Sequence, residues 1–172
     1  MTAEEIRTTI ERTIGVLSEH PEKARSADKP AKAVLDDGLR FRVEGPDGWS
    51  LVTDMPSPMG GGATAPTPGW LMRASLASCL ASVVAQRAAQ EGIELDMLEV
   101  STESETDSRG LLGAAEVPAG PQSLSLHVRI GARGVDDERL RALVKSAEPR
   151  SVVGDVVSRA MTFDTDVDVV SG

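Results

Sequence analysis

Residues 67–92, TPGWLMRASLASCLASVVAQRAAQEG, decide the fold because they predict one long helix that carries Cys79, the only cysteine of the chain. Thr67 is a favourable N-cap, the proline after it suits the first helical position, and Gly92 allows a left-handed stop. No charged residue occurs in residues 74–85, so this part is apolar or small on every side. Such a helix is buried on most of its faces, and this uncharged run is too short to cross a bilayer. The pattern therefore predicts a core helix.

Short segments of alternating apolar and polar residues accompany the central helix and predict antiparallel strands. The strands are expected at residues 33–35, 39–44, 50–53, 95–107, 124–130 and 163–169, and further helices at residues 136–147 and 152–161. Antiparallel strands interrupted by helices are typical of an α+β fold. A helix that is apolar on all sides also needs cover on more than one side, from a sheet on one side and from another helix on the rest.

The N-terminal residues 1–32 are predicted to be a helical extension and linker, followed by one domain at residues 33–172. Thr2 and Glu5 have the spacing of a capping box, and Pro21 ends the helix. This helix either docks on a partner subunit or packs on its own subunit, and the sequence favours neither alternative.

Composition narrows the classes of function. The net charge of −9 argues against binding of nucleic acid, which requires a basic face. One cysteine allows no internal disulfide, and two histidines supply no metal site, so neither a metal nor another cofactor is expected. No segment has the pattern of a signal peptide, and a cytoplasmic protein without membrane partners is the expectation.

Cys79 has two interpretations from its residues alone. It is either a small hydrophobic side chain at a tight packing position or a reactive thiol. A reactive thiol must ionise, and burial in apolar surroundings opposes this. Cys79 lies about three turns from the start of its helix, where the helix dipole has little effect. We therefore expect a cation to be needed for activation.

The motifs PTPGWLMRASLASCL, EGIEL, LEVSTESETDSRG, SLSLHVRI, SAEPRSVVGDVVSRA and FDTDVDVV resemble, in this order, the OsmC/Ohr family. The resemblance covers approximately residues 33–170. It implies an OsmC-like fold, with antiparallel sheets around a long buried central helix. It also implies an intertwined homodimer whose sites lie beside each Cys79 near the interface.

The resemblance further implies a chemistry based on two cysteines, one that attacks an organic hydroperoxide and one that resolves the sulfenic acid as a disulfide. Cys79 matches the attacking position, whereas the resolving position is Ser151. The glutamate that commonly follows the proline at the start of the central helix is Gly69 here. An arginine from the N-terminal strands activates the thiol in the family, and Arg40 and Arg42 lie in that region.

Two functions follow from the resemblance. The first is a thiol-dependent, peroxiredoxin-like reductase of organic hydroperoxides in oxidative-stress defence, which uses Cys79 alone and an external thiol because Ser151 cannot form a disulfide. The second is a catalytically silent homodimer that binds a small hydrophobic ligand. The side chains absent at Ser151 and Gly69 favour the second function, and the presence of Cys79 favours the first.

Overall fold

The computed structural model describes residues 1–159 and 161–170. Five α-helices and five strands are formed there, besides three short 3-10 turns, in the order α1 (Ala3–Glu19), β1 (Lys32–Asp37), β2 (Arg40–Glu44), β3 (Ser50–Thr53), α2 (Pro68–Gln90), β4 (Met97–Glu105), α3 (Ser108–Leu111), β5 (Ser123–Gly131), α4 (Asp137–Ala147) and α5 (Val152–Ser158). The strands form two antiparallel sheets, β1-β2-β3 and β4-β5. The predicted α+β class is confirmed.

Helix α2 begins and ends at the predicted signals. The Thr67 side chain accepts a hydrogen bond from the backbone N–H of Trp70 at 3.1 Å. At the other end, Gly92 has φ +68°, and the N–H of Ile93 donates to the carbonyl of Ala88 at 2.8 Å. This is the closed turn that a left-handed glycine permits at the end of a helix.

The chain by itself buries only one face of α2. This face carries Leu76, Leu80, Val84, Ala88 and Ala89. The opposite face is exposed and carries Ser75, Ser78, Ser82 and Gln86. By length and composition alone α2 could cross a membrane, as many core helices could. The residues that the structure describes therefore supply only part of the cover that the sequence predicts for this helix.

The core lies between α2, the β4-β5 sheet and α4. Leu80 and Val84 of α2 meet Leu143 and Ala147 of α4, and Ile93 closes the end of this cluster. The apolar residues of β4 and β5 pack against the same cluster, including Leu98, Val100, Val128 and Ile130. Exposed and half-buried positions alternate along all of β4, as predicted. The core thus fixes α2 and α4 on one face of the sheet.

The first sheet is built by β2, which pairs with β1 on one side and β3 on the other. A long loop rich in glycine and proline follows β3 and leads to the start of α2. The main contacts of α2 in the chain are with β4, α1, α4 and α5, not with this sheet. The sheet therefore leaves the exposed face of α2 largely uncovered.

Helix α1 packs against α2 of its own chain. Its capping box is present, because the Thr2 hydroxyl accepts from the N–H of Glu5 and the Glu5 carboxylate accepts from the N–H of Thr2. None of its residues is buried, so this contact is shallow. The extension thus contacts α2 of its own chain, and docking on a partner subunit stays a prediction.

Two sequence predictions near the C-terminus are wrong for the described chain. Residues 163–169, expected to be the closing strand, form no strand. Phe163, Val167 and Val169 are 72–88% exposed, so their alternating apolar pattern has no sheet to pack on. The preceding helix ends at Ser158 rather than at residue 161, because the chain becomes extended at Arg159. A strand requires a hydrogen-bonded neighbour, and none of the described strands pairs with this segment.

Candidate functional site

Cys79 and Ser151, which are far apart in sequence, meet where α5 begins beside α2. Ser151 is the N-cap of α5, and its hydroxyl oxygen accepts from the N–H of Gly154 at 3.1 Å. The residue is only 3% exposed. The Ser151 hydroxyl and the backbone N–H groups of Val152 and Val153 are close enough to the Cys79 sulfur to lower the pKa of its thiol. Three polar groups of one short segment therefore act on the thiol.

These contacts determine the acidity of Cys79. Burial raises the pKa of the Cys79 thiol, but the hydrogen bonds from Ser151, Val153 and Val152 lower it by more, and the net pKa lies below that of an ordinary cysteine. Hydrogen bonds to the charged form favour the thiolate. The first turn of α5 thus favours the thiolate, an effect for which a cation was expected from the sequence.

The donors from α5 were not predicted from the sequence. Ser151 followed by an apolar run is a recognisable N-cap signal for a helix. Nothing in the sequence indicates, however, that this helix begins at the side chain of Cys79. The missing information is the packing of α5 on α2, which depends on the tertiary structure.

Both predicted arginines of β2 are bound to carboxylates. Arg40 donates to Asp36 at 2.8 Å and to the hydroxyl of Thr64 at 2.7 Å. Arg42 forms an ion pair with Glu44 at 2.8 Å. Among the described residues, neither guanidinium forms a hydrogen bond with Cys79. The chain by itself therefore brings Cys79 and Ser151 together, but joins neither arginine to them.

Gly69 lies in the first turn of α2 and has space around it. A Cβ atom added there would lie 3.9 Å from the hydroxyl of Thr67 and 4.0 Å from the guanidinium of Arg73, both ordinary contacts. Arg73 donates to the hydroxyl of Ser104 at 3.2 Å. The absence of a carboxylate at Gly69 is thus not imposed by lack of space.

A buried carboxylate organises the loop between β3 and α2. Asp54 is 2% exposed and accepts hydrogen bonds from the backbone N–H groups of Met55, Gly62 and Thr64 and from the Thr64 hydroxyl. The backbone and hydroxyl of Thr64, followed by the other N–H groups, lower the pKa of Asp54 to about 2 despite its desolvation. The loop that leads to α2 is therefore closed around a permanent negative charge.

Over residues 1–159 and 161–170, no group of three or more histidine, cysteine, aspartate or glutamate side chains is arranged to hold a metal ion. His127 lies exposed on β5, opposite Ser101 of β4. The candidate site thus consists of the Cys79 thiol and the polar groups around it.

Comparison with known proteins identifies the family. The model of the OsmC-like protein family matches residues 60–166, and the chain belongs to this family. A search of curated protein sequences gave no match.

Several solved structures share the fold. An OsmC-like protein from Mycoplasma pneumoniae is 14% identical, with a TM-score of 0.65 over 78% of this chain and 89% of that chain. A second structure is an organic hydroperoxide resistance protein OsmC from Legionella pneumophila, also described as a predicted redox protein and regulator of sulfide bond formation. It is 23% identical, with a TM-score of 0.58 over 77% of this chain and 90% of that chain. The organic hydroperoxide resistance protein OhrB of Bacillus subtilis is 20% identical, with a TM-score of 0.50 over 74% of this chain and 90% of that chain. At these identities the comparison establishes the OsmC-like fold.

Proposed function

We propose that the protein is a thiol-dependent reductase of organic hydroperoxides that uses Cys79 as its single reactive cysteine. The observation that carries the proposal is the buried N-cap of α5 beside a thiol on the central helix, where Ser151 and the first N–H groups of α5 lower the pKa of that thiol. The thiolate is the nucleophilic form of cysteine, so these donors increase the reactive fraction. The description of structural neighbours as hydroperoxide resistance proteins supports the choice of substrate.

The reaction begins with attack of the Cys79 thiolate on the terminal oxygen of the hydroperoxide. The S–O bond forms as the O–O bond breaks, and the organic alkoxide takes up a proton and leaves as an alcohol. Cys79 becomes a sulfenic acid. One external thiol then forms a mixed disulfide with release of water, and a second external thiol displaces Cys79 and leaves as a disulfide. Ser151 takes no part in this exchange because a hydroxyl cannot form a disulfide.

The proposed functional unit is a homodimer in which the exposed face of α2 packs against a second copy. The hydroxyls of Ser75, Ser78 and Ser82 donate to carbonyl oxygens of their own helix at 2.8–3.1 Å. These polar groups are therefore already satisfied and can be covered without loss of a hydrogen bond. Val152, at the start of α5 next to the thiol, is 71% exposed, and Trp70 in the first turn of α2 is 50% exposed. Exposed apolar side chains of this kind suit a partner subunit, and Val152 also suits a hydrophobic substrate.

An arginine of β2 is proposed to act on the thiolate and on the departing oxygen. In an intertwined dimer the three-stranded sheet, which has little contact with α2 of its own chain, would lie over the central helices. A guanidinium near Cys79 stabilises negative charge on sulfur and on the leaving alkoxide. Of the two sequence candidates, Arg40 is the more firmly held, because it has two partners and is less exposed than Arg42.

The experiment compares the reaction of reduced Cys79 and of free cysteine with cumene hydroperoxide at the same pH, with sulfenic acid trapped by a dimedone probe. Faster reaction of the protein, abolished in Cys79→Ser, supports the proposal. With an added thiol the enzyme turns over. Without it, excess peroxide drives Cys79 to sulfinic acid. Reaction no faster than that of free cysteine overturns the proposal.

The second function, a silent dimer that binds a small hydrophobic ligand, is favoured by the absence of a carboxylate at Gly69 and of a thiol at Ser151. It predicts that Cys79→Ser leaves binding of an apolar fluorescent probe unchanged while wild-type Cys79 is unreactive toward peroxide. The same protein preparations therefore distinguish the two functions.

A further inference from the structure

A chain of hydrogen bonds connects Arg40 to the loop that leads into α2. The Nη1 of Arg40 donates to the Thr64 hydroxyl at 2.7 Å, and this hydroxyl lies 2.8 Å from Oδ2 of Asp54. A hydroxyl has one proton to donate. An ionised carboxylate can only accept hydrogen bonds, and a guanidinium can only donate them. The proton of Thr64 must therefore point to Asp54, which leaves a lone pair of its oxygen directed at Arg40.

Asp54, at the end of this series of hydrogen bonds, is held in a fixed position. Asp54 is buried and is held by backbone N–H groups on both sides of the loop. The loop also passes so close to itself at Gly61 that an added Cβ would lie 2.0 Å from the carbonyl oxygen of Met55. A side chain anchored to Asp54 is therefore anchored to a loop with little freedom to rearrange.

Resting on the proposed function, we propose that Thr64, oriented by Asp54, is a positioning residue that holds Arg40 for the reaction at Cys79. It thereby replaces the carboxylate that would be expected at Gly69. The second partner of Arg40, Asp36, is itself exposed and lies on the adjacent strand of the same sheet. Asp36 ties Arg40 only to its own sheet, whereas Thr64 ties Arg40 to the segment that starts the central helix. Thr64 thus links Arg40 to the loop that leads into α2, the helix that carries Cys79.

The test removes only the hydroxyl. Thr64→Val keeps the shape of the side chain but removes one of the hydrogen bonds to buried Asp54, and Thr64→Ser keeps the hydroxyl. Urea unfolding of each variant therefore accompanies the assays and separates loss of stability from loss of positioning. Thr102→Val is the matched control, because the hydroxyl of Thr102 is buried on β4 without a hydrogen-bond partner among the described residues. Each protein is assayed in full length for reaction of Cys79 with cumene hydroperoxide and, separately, with iodoacetamide, over a range of pH.

Thr64→Val is expected to slow the reaction with hydroperoxide by about 3- to 10-fold, the factor that one lost hydrogen bond supplies. Alkylation by iodoacetamide breaks no O–O bond. At high pH, where the thiol is fully ionised, Thr64→Val is therefore expected to slow alkylation less than it slows the reaction with hydroperoxide. Thr64→Ser restores the wild-type rate, and Thr102→Val retains it. Because Thr64 acts through Arg40, the double variant Arg40→Gln/Thr64→Val is expected to be no slower than Arg40→Gln alone.

Different results would overturn the two proposals. If wild-type Cys79 reacts no faster than free cysteine, the proposed function fails and the positioning role fails with it. If wild-type Cys79 is fast and Thr64→Val is equally fast, the peroxidase function stands and the positioning role is overturned. The positioning role would also be overturned if Thr64→Val slowed the Arg40→Gln variant by the same factor as it slows the wild type. Thr64 would then act independently of Arg40.

Discussion

Ser151, whose hydroxyl caps helix α5, lies beside Cys79 and lowers the pKa of the Cys79 thiol. The position at which the family resemblance implies a resolving cysteine is therefore next to the thiol of the central helix, although its side chain cannot form a disulfide. The serine has a different use here, because it orders the first turn of α5 so that two backbone N–H groups reach the sulfur. Ser151 cannot act as a redox partner, but it has a structural and an electrostatic effect.

The first prediction concerns this double role of Ser151. Ser151→Ala is expected to raise the pKa of the Cys79 thiol, because the thiolate loses one donor and the first turn of α5 loses its cap. Loss of an N-cap lowers the free energy of unfolding by about 1 kcal/mol. The pH dependence of Cys79 alkylation measures the first effect, and urea unfolding measures the second. Ser158→Ala, at the other end of α5, is the control. An unchanged alkylation profile in Ser151→Ala would contradict the role of the hydroxyl.

The second prediction tests the proximity of the two positions chemically. Ser151→Cys is expected to convert the product of peroxide treatment from a sulfenic acid to a disulfide with Cys79, because the hydrogen bond requires the two side chains to be adjacent. Turnover with a dithiol reductant should then replace over-oxidation. Mass spectrometry of the peroxide-treated variant, digested without reduction, detects the linked peptides. The matched variant Ser158→Cys should give no such link.

The third prediction concerns acid stability and Asp54. The pKa of Asp54 in the folded chain is lowered from 3.8 to about 2. The ionised carboxylate therefore stabilises the fold fully above about pH 4, and this contribution is lost as the pH falls toward 2. Asp54→Asn removes this contribution at neutral pH, because the amide cannot accept all the hydrogen bonds of the carboxylate. Thermal unfolding between pH 2 and pH 7 should show a smaller loss on acidification for Asp54→Asn than for the wild type. Asp47→Asn, at an exposed ion pair with Lys29, is the control.

The sequence predicted helices and strands correctly where the pattern depends on residues that are neighbours in the chain. The limits of α2, the capping box of α1 and the alternation of β4 all depend on neighbouring residues. The contact of Cys79 with the first turn of α5 joins segments about seventy residues apart, and no local pattern contains it. The segment at residues 163–169 shows the converse case. Its alternation of apolar residues with aspartates is a valid strand signal, but a strand forms only where a sheet edge accepts it.

The fourth prediction addresses the exposed face of α2. In a monomer, Ser78→Asp replaces one exposed polar residue by another and should change the free energy of unfolding by less than about 0.5 kcal/mol. If two copies cover this face, the same change buries an unpaired carboxylate, which costs several kcal/mol. We therefore expect wild-type protein to be a dimer at micromolar concentration and Ser78→Asp to dissociate or misfold. Sedimentation equilibrium measures the change, with Ser101→Asp on the polar face of β4 as the control. A wild-type monomer, or a Ser78→Asp dimer as tight as wild type, would show that α2 does not form the interface.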